Sequence, residues 1–233
     1  MKKRFILLIT VLSATFFLYA KSVEITFEFA DGERLVKEYD DMKTALVIWT
    51  GDSDNCIPSK ELTNIAGLEN WEMLQAIEWY GIRYYGDWSF LKDIKNLKGI
   101  FVSYFRGKSL RFLEDLSDLE YIELKVSIDK KDSEEFEKEA VDLSKLTKIQ
   151  KISIRANYFE KNTHSDNRLT RIPNFINVQN RPALDINNNH IKKLTRYDKK
   201  LLRQYSKVYL YSNPLSADKE KVEKELKGIE FVW

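Results

Sequence analysis

The sequence predicts an α/β fold: a solenoid in which short parallel strands form one curved sheet, with short helices or turns on the convex side and a small β-rich cap at the N-terminus. Three observations predict it. Apolar residues recur at intervals of three, they lead into short alternating apolar segments, and the combination returns every 22 to 32 residues. One such unit cannot bury its apolar face alone, so neighbouring units are expected to stack around a continuous core.

The first twenty residues differ from the rest of the chain. Three basic residues at 2–4 are followed by sixteen mostly apolar residues at 5–20. This is the layout of a secretory signal peptide, and it predicts an exported protein (periplasmic, at the cell surface or secreted) cleaved after about Ala20. The alternative is an uncleaved anchor helix, although sixteen residues are short for a membrane span.

Residues 21–61 are expected to form the β-rich cap. Apolar and polar residues alternate over 23–29, which predicts a strand with one buried face. The Asp-Gly pair at 31–32 is a hairpin signal, and 35–39 would form the returning strand. Residues 46–49 are a third apolar strand candidate within this cap.

The repeated units occupy residues 62–216. Their strand segments are expected to begin at Ile77, Ile100, Ile122, Ile152, Leu184 and Val208. Three residues beyond the second apolar position of the last three strands stand Asn157, Asn189 and Asn213. The first three units lack this Asn, and the longer gaps between later units predict insertions at 129–140 and 160–174.

The spacing resembles that of the leucine-rich repeat family, L-x-x-L-x-L-x-x-N-x-L with a period of 20–29 residues. The resemblance covers about two thirds of the chain and is closest in type to the exported, internalin-like repeats of bacteria. It implies recognition of another protein, and a structural role for the three Asn residues. An amide placed where a strand ends can satisfy backbone groups that the turn leaves unpaired.

Residues 217–233 are expected to cap the C-terminal end of the repeats with a helix and a strand. Ser216 is a candidate N-cap, and Val222 and Leu226 would share the buried face of the helix. Gly228 is expected to end the helix, and the last five residues alternate as a closing strand.

The residue types needed for catalysis or metal binding are sparse. Cys56 is the single cysteine, which excludes an internal disulfide, and His164 and His190 are the two histidines. The acidic run at 52–55 suggests a calcium loop, but Thr63 stands where the twelfth-position Glu is required. Phosphate-loop, HExxH and paired-cysteine motifs are absent from the sequence. We therefore expect no catalysis, no cofactor and no metal site.

The charge of the chain is unevenly distributed. Residues 21–142 contain 16 Lys and Arg against 27 Asp and Glu, a net charge of −11, whereas residues 143–233 contain 19 against 9, a net charge of +10. Such polarity can steer a partner or make copies of the chain attract head to tail. An envelope assembly subunit is therefore an alternative function, and an enzyme with a site in the N-terminal segment is a second one.

Between the inward-facing apolar residues of each strand, side chains are expected to face the concave side of the sheet. They include aromatic residues and charges of both signs, a combination typical of protein contacts. The candidate binding residues are Tyr80, Phe101, Tyr121, Glu123, Lys125, Arg155, Asp185, Tyr209 and Tyr211. We expect non-catalytic binding of a protein, at the cell surface or to a host, with no nucleic-acid partner and no membrane span after signal cleavage.

Overall fold

The structure of the protein, a computed structural model, describes residues 22–51, 56–81, 84, 87–107, 109–127, 136–156 and 168–233. The expected signal peptide, the acidic run at 52–55, Asn157 and His164 lie outside the described residues, as do parts of both expected insertions. The described residues form a mixed α/β fold with three sheets, of which the largest has eight strands.

Thirteen strands are present in the described part of the chain: β1 (Ser22–Phe29), β2 (Arg34–Asp40), β3 (Ala45–Trp49), β4 (Leu62–Ala66), β5 (Ala76–Tyr80), β6 (Gly99–Phe105), β7 (Tyr121–Val126), β8 (Val141–Asp142), β9 (Lys151–Ala156), β10 (Phe175–Ile176), β11 (Ala183–Asp185), β12 (Lys207–Tyr209) and β13 (Glu230–Val232). Two α-helices have both ends within the described residues, α1 (Arg196–Leu202) and α2 (Lys219–Glu225), and residues 136–138 are also helical. The 3₁₀ helices in the described part are Leu68–Asn70, Trp88–Asp93, Arg111–Asp115 and Pro214–Asp218.

The eight-stranded sheet has the order β13-β12-β11-β9-β7-β6-β5-β3, and all neighbouring strands in it are parallel. A three-stranded antiparallel sheet has the order β2-β1-β4, and β8 pairs with β10 in a short parallel sheet. A 3₁₀ helix precedes each of β5, β6 and β7, whereas α1 precedes β12 and α2 precedes β13. Connections of this kind are needed because parallel strands cannot be joined by a tight turn.

The N-terminal hairpin is confirmed. Strands β1 and β2 are antiparallel with Glu28 opposite Arg34, and Gly32 in the turn has φ of +84°. Glycine adopts this left-handed conformation without the steric cost that a Cβ atom imposes. The outward face of β1 is polar, while Ile25 and Phe27 are completely buried in the core.

The division of the chain between a cap and repeats stays a prediction, and the strands interleave across its boundary. Strand β3 lies in the segment expected to form the cap, yet it is the edge strand of the eight-stranded sheet and pairs with β5. Strand β4 follows the boundary, yet it pairs with β1. The chain therefore passes from the antiparallel sheet to the eight-stranded sheet at β3 and returns to the antiparallel sheet at β4, which connects the two sheets covalently as well as by packing.

The expected register and core positions are confirmed. The first apolar residues of the expected strands lie opposite one another on neighbouring strands, in the order Ile77, Ile100, Ile122, Ile152, Leu184 and Val208. The apolar residues at intervals of three before the first four strands are all exposed by 5% or less: Leu68, Trp71, Leu74, Leu91, Ile94, Leu97, Leu113, Leu116, Leu119, Leu143, Leu146 and Ile149. Apolar burial therefore accounts for the whole pattern.

The C-terminal helix and closing strand are present, but the expected N-cap is wrong. Helix α2 begins at Lys219 with Asp218 as its N-cap, and the preceding 3₁₀ helix Pro214–Asp218 includes Ser216. Proline favours a helical turn at this point because its ring holds φ near −65°, so the chain turns before the α-helix starts. Val222 and Leu226 are buried as expected, and Gly228 has φ of +87° beyond the helix end.

Candidate binding surface

The eight-stranded sheet has one face packed on the core and one face that carries polar and aromatic side chains, which we call the open face. Side chains of neighbouring strands stand beside each other on it, because the strands are parallel and in register. Its central row consists of Val47, Glu78, Phe101, Glu123, Ser153, Asp185, Tyr209 and Val232. The rows on either side hold the remaining candidate residues.

At the N-terminal end of the open face lie three neighbouring rings that we call the aromatic strip, Trp49, Tyr80 and Phe101; Trp49 and Tyr80 are stacked, and Phe101 lies against Tyr80 at a tilt of 39°. The rings of Trp49 and Tyr80 are parallel within 9° with centroids 4.1 Å apart, and those of Tyr80 and Phe101 are 4.9 Å apart. Trp49 is 51% exposed at the sheet edge. Stacking holds each ring in one orientation, so the strip presents preorganised apolar area.

Charged groups adjoin the aromatic strip. The Lys125 ammonium lies 5.0 Å from the centroid of the Phe101 ring, within the range of a cation–π contact. The Tyr80 hydroxyl donates a hydrogen bond of 2.9 Å to the Glu78 carboxylate. Burial, followed by the bond to Glu78 and its charge, raises the pKa of Tyr80. The hydroxyl therefore stays a neutral donor across the physiological range.

The middle of the open face carries four paired charges, which we call the charged cluster: Glu123, Lys151, Arg155 and Asp185. Arg155 pairs with Glu123 on one side and lies 4.0 Å from Asp185 on the other. The Lys151 ammonium is 3.3 Å from the Asp185 carboxylate. Asp185 is only 4% exposed, because both cations extend over it. The expected surface acid is therefore a buried anchor that holds the two cations in place.

Beneath these cations lie buried polar atoms. Among the described residues, Ser153 Oγ, Arg155 Nε and Asn187 Oδ1 are buried without a hydrogen-bond partner. Ser153 and Arg155 are two residues apart on β9, and Ser153 pairs across the sheet with Asp185. An unpaired buried polar atom costs roughly 1–3 kcal/mol, so these three atoms lower the stability of the sheet at this point.

Towards the C-terminal edge, the ring of Tyr209 is contacted by two cations. The Lys151 and Lys207 ammonium groups lie 5.5 and 5.2 Å from its centroid, and Lys207 also pairs with Glu230 at 2.6 Å. The hydrogen bond to Glu230 raises the pKa of Lys207. The other two tyrosines of this part of the face, Tyr121 and Tyr211, are 50% and 40% exposed. The open face therefore runs from an aromatic end to an end where charges of both signs surround tyrosines.

Asn189 and Asn213 lie where β11 and β12 end, and both are buried. The Asn189 amide donates to the carbonyls of Ile154 and Ile186, at 3.0 Å each, and accepts from the Leu169 N–H at 3.3 Å. Asn213 makes the corresponding bonds one strand further on: its amide donates to the carbonyls of Ile186 and Leu210 and accepts from the Ile191 N–H. Each amide therefore connects adjacent strands.

Two residues of the open face were missed by the sequence analysis, Val47 and Trp49, which are 40% and 51% exposed. They lie on β3, which had been assigned to the cap. The signal was present, because Leu46 and Ile48 have the same alternation as the strands of the repeats and Leu46 pairs with Ile77. The two lysines beside Tyr209 were not selected either, since contacts that long side chains make across strands have no sequence pattern.

The described residues contain no group of three or more His, Cys, Asp or Glu side chains arranged to hold a metal ion. His190 is half-buried, and its backbone N–H donates to the Leu169 carbonyl at 2.8 Å. Cys56 is half-buried, and its backbone carbonyl accepts a hydrogen bond of 2.8 Å from the Lys37 ammonium. In the part of the chain that the structure describes, no helix is long and apolar enough to cross a membrane.

A comparison with known proteins places the chain in no described group: it matches no protein-family model and no curated protein.

Proposed function

We propose that the chain is an exported leucine-rich repeat solenoid that binds a protein partner through its open face, without catalysis. The observation that carries this proposal is the aromatic strip, in which Trp49 stacks on Tyr80 and Phe101 packs against Tyr80 at the edge of a parallel sheet, with Lys125 over the Phe101 ring. In a solenoid the open face would be the concave surface, the surface that such folds use for recognition.

The energetics of the open face favour a protein partner. Rings that are already stacked lose little side-chain entropy on binding, so most of the free energy of burying them is retained in the complex. Aromatic residues and arginines are the usual anchors of protein interfaces, contributing about 2 kcal/mol or more each. The paired charges around them favour a partner that presents complementary charges in a defined register.

The two ends of the open face suggest how a partner would be oriented. The aromatic strip presents mainly ring surface, and two charged groups beside it, Glu78 and Lys125, already contact Tyr80 and Phe101. The charged cluster and Tyr209 lie across the following strands. A partner with an apolar segment beside a segment of mixed charge would match this order, and the reverse orientation would place charges against the strip.

The test is a pull-down with residues 21–233 as bait, followed by affinity measurement with the captured protein. The open-face variant carries Trp49→Ser, Phe101→Ser and Tyr121→Ser. The matched control carries Val36→Ser, Met42→Ser and Met73→Ser, three apolar side chains that are exposed elsewhere by 43% or more. We expect the open-face variant to lose at least ~2 kcal/mol of binding free energy and the control to bind as the wild type does.

A partner bound equally by both variants would contradict the assignment of the open face. Circular dichroism of the two variants checks that each retains the fold, since all six positions are at least partly exposed. Export is tested separately by sequencing the N-terminus of the mature protein, which is expected to begin at Lys21. An intact Met1 on the exported protein would favour the anchor helix instead.

A further inference from the structure

Outside the open face, a surface rich in cations surrounds helix α1. A cavity of about 660 Å³ is lined by Arg196, Tyr197, Lys199, Lys200 and Arg203. Leu201 and Leu202 anchor the helix in the core, while Arg196, Tyr197, Lys200 and Arg203 are exposed. The volume is in the range of small-molecule sites, and four of the five lining side chains are cations.

On α1 the negative charge faces the protein interior and the positive charges face solvent. Its one acidic residue, Asp198, is 2% exposed and accepts hydrogen bonds from the Thr195 hydroxyl and N–H at 2.6 and 2.7 Å. Arg171 is 3.8 Å from the same carboxylate. The Asp198 carboxylate is therefore buried and hydrogen-bonded in the capping box at the start of the helix. The charges that the helix presents to solvent are all positive.

Few of these cations are neutralised. Lys199 pairs with Glu225, and Arg203 donates to the Glu225 backbone carbonyl at 3.4 Å. For Arg196 and Lys200 the described part of the chain provides no ion pair, and the same holds for the exposed Lys192 and Lys193 just before the helix. The hydrogen bond from Lys199 to Glu225 lowers the pKa of that carboxyl group, so Glu225 stays ionised but offsets only one charge.

The spacing of these cations is unfavourable for the free protein. Arg196 and Lys200 are four residues apart and therefore lie on the same side of the helix, about 6 Å apart along its axis. Like charges at this spacing destabilise a helix. An anion between them would convert this repulsion into attraction, and Lys199 and Arg203 lie on the same face of the helix, three and seven residues beyond Arg196.

We propose that this cavity binds clustered phosphate groups. Arginine matches phosphate oxygens with two parallel hydrogen bonds, and lysine contributes a compact positive charge. The cavity is large enough for more than one phosphate group, and the four lining cations exceed the charge of a single one. The same chemistry is offered by a soluble polyphosphate and by the headgroups of an anionic lipid surface, and the test distinguishes these sources.

The test uses two probes on the mature chain. Tripolyphosphate is titrated in a calorimeter, and vesicles of phosphatidylglycerol with phosphatidylcholine are compared with vesicles of phosphatidylcholine alone by co-sedimentation. The cavity variant carries Lys193→Gln, Arg196→Gln and Lys200→Gln. The matched control carries Lys92→Gln, Lys95→Gln and Lys98→Gln, which remove the same charge from exposed positions in the other half of the chain.

We expect the cavity variant to bind at least about tenfold more weakly than the wild type, and the control to differ by less than about twofold, at moderate salt. Binding of tripolyphosphate assigns the site to soluble phosphates, and binding to the anionic vesicles alone assigns it to lipid headgroups. The proposal is overturned if the wild type binds neither probe, or if both variants lose affinity equally. Arg196→Lys, which keeps the charge, serves as a second variant that leaves the fold intact and is expected to retain most of the binding.

Discussion

The two halves of the eight-stranded sheet differ in the side chains that stabilise the turns at the ends of their strands. In the C-terminal half, β11 and β12 are followed by the buried amides of Asn189 and Asn213. In the N-terminal half, β5 and β6 are followed by aromatic rings. In both halves, the backbone groups at the end of a strand need hydrogen-bond partners, and the space beside them must be filled. The side chains of the C-terminal half mainly provide the hydrogen bonds, and those of the N-terminal half mainly fill the space.

In the C-terminal half, hydrogen bonding dominates. One Asn amide provides two donors and an acceptor, so it can bridge carbonyls on two strands and an N–H on the following loop. Asn213 does this for Ile186, Leu210 and Ile191, at distances between 2.9 and 3.1 Å. A short polar side chain is sufficient because the strands there are only three residues long and the turn is tight.

In the N-terminal half, volume dominates. Trp88 contacts Trp79, Tyr84 and Phe105 with ring centroids 5.1 to 5.3 Å apart, and Phe112 lies against Trp88 and Phe105 at 5.9 Å. The bridging function is left to Ser103, whose hydroxyl donates to the Trp79 carbonyl and accepts from the Gly81 N–H. The Ser103 hydroxyl makes two hydrogen bonds to the backbone, fewer than an Asn amide can make. The aromatic rings exclude water from the space that the smaller side chain leaves.

The largest effect is expected in the aromatic half. Trp79 is completely buried, and we expect Trp79→Ala to lower the free energy of unfolding by ~4 kcal/mol because it leaves a large cavity. Chemical denaturation measures the change. Trp49→Ala serves as the control, since it removes the same side chain from an exposed site, and we expect it to cost less than ~1 kcal/mol. Equal losses in the two variants would show that the ring cluster is not the core of this half.

The second largest effect is expected in the amide half. Asn189→Ala leaves two carbonyls and one N–H without their side-chain partner in a buried site, and we expect a loss of ~3 kcal/mol. Asn96→Ala is a matched control, because that amide makes one exposed bond of 2.8 Å to the Glu72 carbonyl. We expect the control to cost under ~1 kcal/mol. A stable Asn189→Ala variant would mean that water replaces the amide.

Replacing a buried tyrosine with phenylalanine is expected to have opposite effects on stability in the two halves. The Tyr84 hydroxyl donates to the Asp87 carbonyl at 2.8 Å, and burial raises its pKa to about 12. The completely buried Tyr205 hydroxyl has no hydrogen-bond partner among the described residues. We therefore expect Tyr84→Phe to destabilise the protein by ~1 kcal/mol and Tyr205→Phe to stabilise it by a similar amount. Thermal unfolding of the two variants should show shifts of opposite sign.

The smallest effect is expected where the halves meet, at the buried carboxyl group of Glu137. Thr170 donates to it through both its hydroxyl and its N–H, which partly offsets the cost of burial. Burial nevertheless raises the pKa of Glu137 above its ordinary value. The charged form thus lowers stability in full above the folded pKa, and this penalty disappears as the pH falls to the unfolded pKa.

We therefore expect the wild type to gain stability relative to Glu137→Gln as the pH is lowered from 7 to about 4.5, the usual carboxyl pKa. The measurement is the difference in unfolding free energy between the two proteins as a function of pH. Taking the difference cancels the opposing contribution of exposed carboxyl groups such as Asp115, whose pKa is lowered by Lys145. A difference that is constant with pH would contradict the assignment.

Much of the fold follows from local periodicity. Strands β5, β6 and β12 could be located from Ile77, Ile100 and Val208 because inward and outward positions alternate, and their register was implied by the recurrence. The Asn positions were visible for the same reason. Pairing between distant segments was not visible: β4 resembles a strand of the repeats in position but completes a sheet with β1.

The candidate surface was predictable to a lesser degree. Tyr80 and Phe101 could be assigned to the open face from strand alternation, but their stacking with Trp49 depends on β3 joining the sheet. The burial of Asp185 depends on two long side chains from β9 extending over it. Rotamers of lysine and arginine are not specified by the residues beside them in sequence, so such contacts appear only when strands are adjacent.

The sequence by itself determined which apolar residues of the repeated units are buried, because burial of apolar surface acts on each strand through a period that can be counted. It also determined the uneven charge of the two halves. Only the tertiary structure decided that Asp185 is buried, that β3 forms the N-terminal edge of the large sheet with Trp49 against Tyr80, and that the acid of α1 is enclosed while its cations remain outside. These features arise from contacts between segments far apart in the chain, for which local patterns carry no information.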